Sequence, residues 1–302
     1  MEINLTAWLG AMSVGALLCA GLFGLSLEKS GRTSGRATLI STLTLVLGIL
    51  FGILGGKLLF ILFSAVQGSR VNWTGLMPTE LSYYGCMGGV CFAAWLTAKM
   101  LRENPREVLN CLAPAGSLMA ALARFAEYWL GLWGTGAFLG EEKVIFPLAV
   151  GIEWDPEYTE YYLAVFMLEG LCYLLVAGWS LLHRKDRYLF VRTVFYLCLT
   201  QVFCESLRDS GIKWLFIHME QLLCYLTAEG ILIGYGVVSA RRGKKNWMPM
   251  IVGLVVCALT VAEEFALDKT DISHWITYAC MAAGLAAMAW AEHRGYRRLT
   301  ED

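Results

Sequence analysis

Polar residues are sparse along this chain and gather in short segments between long apolar stretches. The apolar stretches fall near 7–26, 39–65, 83–101, 109–131, 161–182, 189–208, 218–239, 248–267 and 273–291. Most approach the roughly 20 residues that one bilayer crossing takes. In lipid the backbone must satisfy its own hydrogen bonds, so stretches of this length read as helices. The pattern predicts an all-α fold, a polytopic transmembrane helical bundle of about nine helices. An eight-crossing arrangement, with one stretch re-entrant, is the alternative.

Composition agrees. Hydrophobic residues make up 57% of the 302 and charged residues 16%, against about 25% charged in soluble domains. A net charge of -1 gives no basic surplus for nucleic acid. The ten cysteines include no C-x-x-C pair and lie mostly inside apolar runs, so they read as small hydrophobes. Met1-Glu2 and the absence of Lys or Arg before Lys29 give the first stretch no basic leader, and it reads as a retained helix.

Charge placement sets a predicted orientation. Lys29, Arg32 and Arg36 share one loop, and Lys99, Arg102 and Arg106 share another. Arg184, Lys185 and Arg187 follow, then Arg241, Arg242, Lys244 and Lys245, and the tail carries Arg294, Arg297 and Arg298. The intervening loops hold only Arg70, Lys143, Lys213 and Lys269, and one is acidic, with Glu141, Glu142, Glu153, Asp155, Glu157 and Glu160. Positive residues stay inside, so the N-terminus is expected outside and the C-terminus in the cytoplasm.

Lys57, Arg124, Arg192 and Arg208 remain within or beside apolar runs. Arg192 can reach the inner face. The others cost at least about 2.5–3.5 kcal/mol each in a bilayer and are therefore candidate functional groups. Glu127 follows Arg124 by three residues and Glu205 precedes Arg208 by three, a spacing that places each pair on one helix face. Glu169 and Glu220 sit on other helices. The plainer reading is that the pairs neutralise themselves; the functional one is a cavity where guanidinium forks receive a phosphate. Gly48, Gly52 and Gly56, with Gly85 and Gly89, read first as close helix packing. Gly131, Gly134 and Gly136 cluster with Trp129 and Trp133, where backbone amides could face a headgroup. His183, His218, His274 and His293 are scattered, and no metal is expected. Glu263, Glu264 and Asp268 read as a solvated acidic helix end.

An ordered set of short blocks over about residues 7 to 240 resembles the prolipoprotein diacylglyceryl transferases of bacteria. Trp8-Leu9-Gly10 is similar to a W-Y-G start and Gly55-Gly56-Lys57-Leu58 to G-A-R-L. Leu81-Ser82-Tyr83-Tyr84-Gly85 resembles M-S-F-H-G. Ala113-Pro114, Arg124 and Gly131-Leu132-Trp133-Gly134 follow the signature A-P...G-R-L-G-N-F-I-N-G-E-x-W-G. Leu168-Glu169-Gly170, Glu205-Ser206-Leu207-Arg208-Asp209 and Met219-Glu220-Gln221 resemble L-E-G, E-F-F-R-x-x-D and M-G-Q.

The resemblance implies a seven-helix membrane domain over 1–245, with two further helices and a basic tail over 246–302. It implies transfer of the diacylglyceryl group of phosphatidylglycerol to the lipobox cysteine of a prolipoprotein, in a bacterial plasma membrane and without a cofactor. Arg124, Arg208, Tyr84 and Glu127 are the implied catalytic positions; Lys57, Gly85, Gly134, Glu205 and Gln221 the substrate-binding ones. Tyr84 stands where the family has histidine, and Glu127 and Leu130 where it has asparagines. Leu9 replaces the family's tyrosine, and the glutamate before the signature's tryptophan is lost or shifted. A phenol of pKa about 10 is a weaker base at neutral pH than an imidazole of about 6.5, which leaves Glu127 to take the proton. The departures also fit a catalytically silent phospholipid-binding relative. A small-molecule transporter is the remaining alternative, though the sequence has no obvious repeated halves.

Overall fold

A computed structural model describes residues 3–69, 73–140, 147–155, 158–209, 211–215, 217–243, 246–269 and 274–300. Met1, Glu2, Arg70, Glu141, Glu142, Lys143, Glu157, Lys244 and Lys245 lie outside the described residues, as do the side chains of Asp155 and Asp268. The described chain forms nine α-helices, α1 (Leu5–Lys29), α2 (Ser34–Gln67), α3 (Tyr83–Met100), α4 (Pro105–Ala126), α5 (Val165–Leu182), α6 (Leu189–Ser206), α7 (Met219–Arg241), α8 (Met248–Lys269) and α9 (His274–Thr300). Seven are long and apolar enough to cross a membrane; α3 and α9 are not among them. The nine expected crossings included both. Their small and polar positions are turned to protein, through Ala93, Ala94, Thr97 and Ala98 on α3 and Thr277, Ala291, Glu292 and Gly295 on α9. The protein is a multi-pass membrane helical bundle.

Two compact units divide the chain. The first holds residues 1–193 and 207–212, and the second 194–206 and 213–302.

In the first unit, Asn4, Ser82 and Asn104 cap α1, α3 and α4 by accepting backbone N–H bonds. Cys19, Phe23, Leu27, Ile40, Ala94, Val108 and Leu112 form a core shared by α1, α2, α3 and α4. The α2 and α3 backbones touch. A Cβ on Gly55 would lie 2.6 Å from the Gly85 carbonyl oxygen, and one on Gly89 would run into the Phe51 carbonyl. Gly48 and Gly52 face Val90, and Gly56 faces Cys86. The glycine spacing is therefore helix packing. Arg32 of the α1–α2 connection and Arg36 in the first turn of α2 each place Nε 3.0 Å from Glu103, ahead of α4.

The acidic loop contains a sheet that the apolar windows did not predict. Strands β1 (Phe138–Gly140), β2 (Ala149–Asp155) and β3 (Tyr158–Leu163) pair antiparallel in the order β1-β3-β2. Tyr162 stands opposite Phe138 on one side and Val150 on the other. The helix expected from residue 161 starts only at Val165, because Tyr158-Thr159-Glu160-Tyr161-Tyr162 is rich in residues that fit a pleated strand.

In the second unit, a short hairpin of β4 (Lys213–Trp214) and β5 (Ile217–His218) leads into α7. Glu292 of α9 is fully buried and accepts from the hydroxyls of Tyr196 at 2.9 Å and Tyr235 at 3.2 Å. A Cβ on Gly253 of α8 would meet the Glu229 carboxylate of α7.

Two outcomes test this packing. Gly89→Ala is expected to lower stability in detergent by about 1–3 kcal/mol, while Gly88→Ala, with open space around its Cβ, leaves the melting temperature unchanged or higher. The hydrogen bond from Arg36, opposed by partial burial and aided by Arg32, holds the Glu103 carboxyl below its ordinary range. A carboxyl lowered by folding contributes stability that is complete above about pH 5 and lost as acid passes below the ordinary value of about 4.3. Glu103→Gln should flatten that part of the stability curve.

Candidate active site

The site is built where α4 stops. Arg124 lies in its last turn, and the chain then tightens into a 3-10 turn, Glu127–Gly134, broken by Gly131 at φ 69°. Gly134 packs on Glu127, for a Cβ there would sit 2.8 Å from Glu127 Oε2. Two residues on, Gly136 donates its N–H to the Leu163 carbonyl at 2.9 Å and bridges to Arg208. A Cβ on Gly136 would collide with the Leu207 carbonyl. These two glycines thus seat Glu127 and the 207–209 segment; the N–H of Gly136 is spent on the backbone.

Arg208 differs from expectation. Helix α6 ends at Ser206, so Arg208 lies beyond it and the common helix face expected with Glu205 is not formed. The chain instead runs alongside 135–136, with the Asp209 N–H donating to the Thr135 carbonyl at 3.4 Å.

Arg124 and Arg208 come together over two shared carboxylates. Nη1 of Arg124 donates to Glu127 Oε1, and its Nε lies 2.8 Å from Glu169 Oε1. Nη1 of Arg208 donates to Glu127 Oε2 at 3.0 Å and Nη2 to Glu169 Oε2 at 2.6 Å. Each carboxylate therefore bridges both guanidinium groups in a closed ring. All four side chains are buried, Glu169 completely. The Arg124 guanidinium also lies 3.8 Å over the Tyr83 ring, which stacks on Tyr173 at 6.2 Å, and the Tyr173 hydroxyl donates to Glu169 at 2.7 Å. Two positive and two negative groups cancel, which is how such charges tolerate burial.

The other predicted residues are placed separately. Lys57 is buried in the first unit, 3.1 Å from Glu80 and over the Phe60 ring at 5.3 Å. Tyr84 is half-buried in the first turn of α3. Gly85 gives its N–H to the Ser82 cap and its Cα face to α2. Glu205 and Gln221 belong to the second unit. There Glu205 accepts from Gln201 Nε2 at 2.6 Å and lies 3.4 Å from Nδ1 of buried His218. Gln221 Nε2 donates to Glu264 at 2.7 Å and Ser206 at 2.8 Å. Glu264 is buried rather than part of a solvated helix end. Sequence reading left out Tyr83 and Tyr173 as site residues; the four-residue step from Glu169 to Tyr173 was the available signal.

The arginine ring, with Glu169 in its L-E-G block and Arg208 in its E-x-x-R block, occupies the positions that resembled one family. The family model of prolipoprotein diacylglyceryl transferases matches residues 3–239. The chain belongs to this family. A search of curated proteins found no match. Prolipoprotein diacylglyceryl transferases are transferases of lipoprotein biosynthesis acting on lipid and lipoprotein substrates. In this member the match ends inside α7, so α8 and α9 lie outside it.

Removing one carboxylate from the ring strands a buried guanidinium. Glu169→Ala is expected to cost about 3–5 kcal/mol, read as a fall in the midpoint of thermal unfolding in detergent, whereas Lys29→Ala at the exposed end of α1 should shift it by less than about 0.5 kcal/mol.

Proposed function

We propose that the protein transfers the diacylglyceryl group of phosphatidylglycerol to the lipobox cysteine of a prolipoprotein in a bacterial plasma membrane, with its N-terminus outside and C-terminus in the cytoplasm. The observation that carries this is the pair of buried arginines bridged by Glu127 and Glu169. Guanidinium forks fit phosphate oxygens and stay charged, and family membership makes a phospholipid the partner that brings the phosphate.

The chemistry follows from the charge balance of the ring. The acceptor thiol needs to lose a proton, and the phosphate monoester that leaves needs a cationic partner. Glu127 takes the thiol proton. Once neutral, it holds Arg124 and Arg208 less strongly, and the ring gains one net positive charge as the leaving group gains negative charge. The thiolate attacks the glycerol carbon of the diacylglyceryl group, the carbon–oxygen bond to phosphate breaks with its electron pair on oxygen, and glycerol phosphate departs. Tyr84 donates a hydrogen bond to the thiol sulfur or a phosphate oxygen. Lys57, Gly85 and Gly134 in the first unit and, separately, Glu205 and Gln221 in the second are the remaining candidate substrate-binding residues of a domain over 1–245, and residues 246–302 are an addition to that domain.

Tyr84 in place of the family's histidine favours a second reading, a relative that binds phospholipid without turnover. The purified protein, incubated with phosphatidylglycerol and a lipobox peptide, is expected to yield a thioether-linked diacylglyceryl peptide by mass spectrometry. Arg124→Ala with Arg208→Ala should abolish it. Absence of product from the wild type, or product surviving the double substitution, overturns the transferase reading; product appearing only with Tyr84→His supports the silent relative.

A further inference from the structure

Glu229 of α7 breaks the pattern of paired buried charge. It is only 9% exposed, and neither of its carboxyl oxygens has a protein donor among the described residues. It stands ten residues after Met219, the start of α7. At the helical rise that is about 15 Å, a depth near the middle of a hydrocarbon core about 30 Å thick. The place is shaped to the carboxyl: Oε2 lies against Gly253 of α8, where the Cβ of any other residue would collide with it.

The surroundings offer no cationic side chain. No charged group of α8 or α9 acts on Glu229 among the described residues, and none of the described Lys or Arg residues of this unit is buried. Cys257 of α8 is the titratable neighbour that feels its charge. Toward the end of the membrane where α7 begins and α8 stops, the same seam becomes polar. Tyr225, one turn before Glu229, lies by Cys257 and Thr260, and Thr260 lies by Glu263. Residues 225 and 229 share a face of α7, and 253, 257, 260 and 263 a face of α8.

A bare carboxylate at this depth costs several kcal/mol, so the carboxyl calls for a cation. A metal cation takes about six oxygen ligands, whereas Gly253 brings no side chain and Cys257 a thiol. A proton needs no further ligand. We propose that Glu229 is a proton-binding site within the membrane, at the deep end of the Tyr225–Thr260–Glu263 seam between α7 and α8. With the proton bound, the neutral carboxyl fits the Gly253 notch. When the O–H bond breaks, its electron pair stays on the Glu229 oxygen, the proton passes to water, and the carboxylate has to draw water into the seam. Helix α8 lies beyond the family match, so half of this site belongs to the added C-terminal helices.

Dicyclohexylcarbodiimide, an apolar reagent, tests this without any need for turnover. It reacts with a carboxylic acid rather than a carboxylate, the O–H adding across a C=N bond and acyl migration leaving a stable N-acylurea. The full-length protein in detergent is treated at a series of pH values in choline chloride, and the adduct is located by peptide mass spectrometry. It is expected on Glu229, and its rate of formation should fall about tenfold per pH unit once the proton is lost. Glu229→Gln should remove this adduct. Gly253→Ala, which expels the carboxyl from the notch toward water, should move the midpoint of the fall to lower pH. Should either variant not fold, the position of the adduct and its pH dependence in the wild type decide. No adduct on Glu229, whether because none forms or because it forms instead on Glu292 with its two tyrosine donors, overturns the proposal. So does a rate independent of pH, or an unchanged midpoint in folded Gly253→Ala. Protection when sodium chloride replaces choline chloride at constant pH overturns the proton assignment and makes sodium the ligand.

Discussion

Two guanidinium groups buried among apolar helices dictate much of the first unit. Neither can shed its proton, and each would be intolerable alone in a medium of low dielectric. The solution is a ring in which Glu127 and Glu169 each hold both arginines. It draws together a helix end, a 3-10 turn, α5 and the segment beyond α6, and it requires each of them to be placed within hydrogen-bond distance of the others. The glycines at 134 and 136 follow from that demand, because a methyl group at either position would push Glu127 or the Arg208 segment away.

The same economy operates elsewhere. Lys57 has Glu80, Arg192 has Asp186, and Glu292 has two tyrosine hydroxyls. Where helices need no polar link, backbones approach directly, as α2 and α3 do along Gly55, Gly85 and Gly89. Membrane helices gain little from hydrophobic burial against one another, since lipid is as apolar as leucine. Close contact and paired polar groups therefore supply the specificity.

Much of this was legible in the sequence. Nine helices among the described residues appear near the apolar windows, and seven of them are long and apolar enough to span, because hydropathy reports directly on the medium around a span. The family blocks were legible too, since Arg124, Glu169 and Arg208 stand out where charge is rare. Other features were not. The three-stranded sheet lies in a segment whose acidic residues suggested an open loop, and its signal was the Tyr and Thr content rather than apolarity. The exchange of partners at Arg208, from Glu205 to Glu127 and Glu169, depends on α6 ending at Ser206. A helix end is decided by long-range contacts such as the bridge to Gly136, which no local pattern encodes. Glu264 was read as solvated because its partners, Ser206 and Gln221, are distant in sequence.

The neutrality of the arginine ring has an electrical consequence. One elementary charge carried across a membrane potential of 100 mV involves about 2.3 kcal/mol, so an unbalanced cation at such a site would be pulled by every change in cellular energisation. Two arginines balanced by two glutamates feel almost no net force. The resting geometry of the cluster is thereby insulated from the voltage of the membrane that contains it.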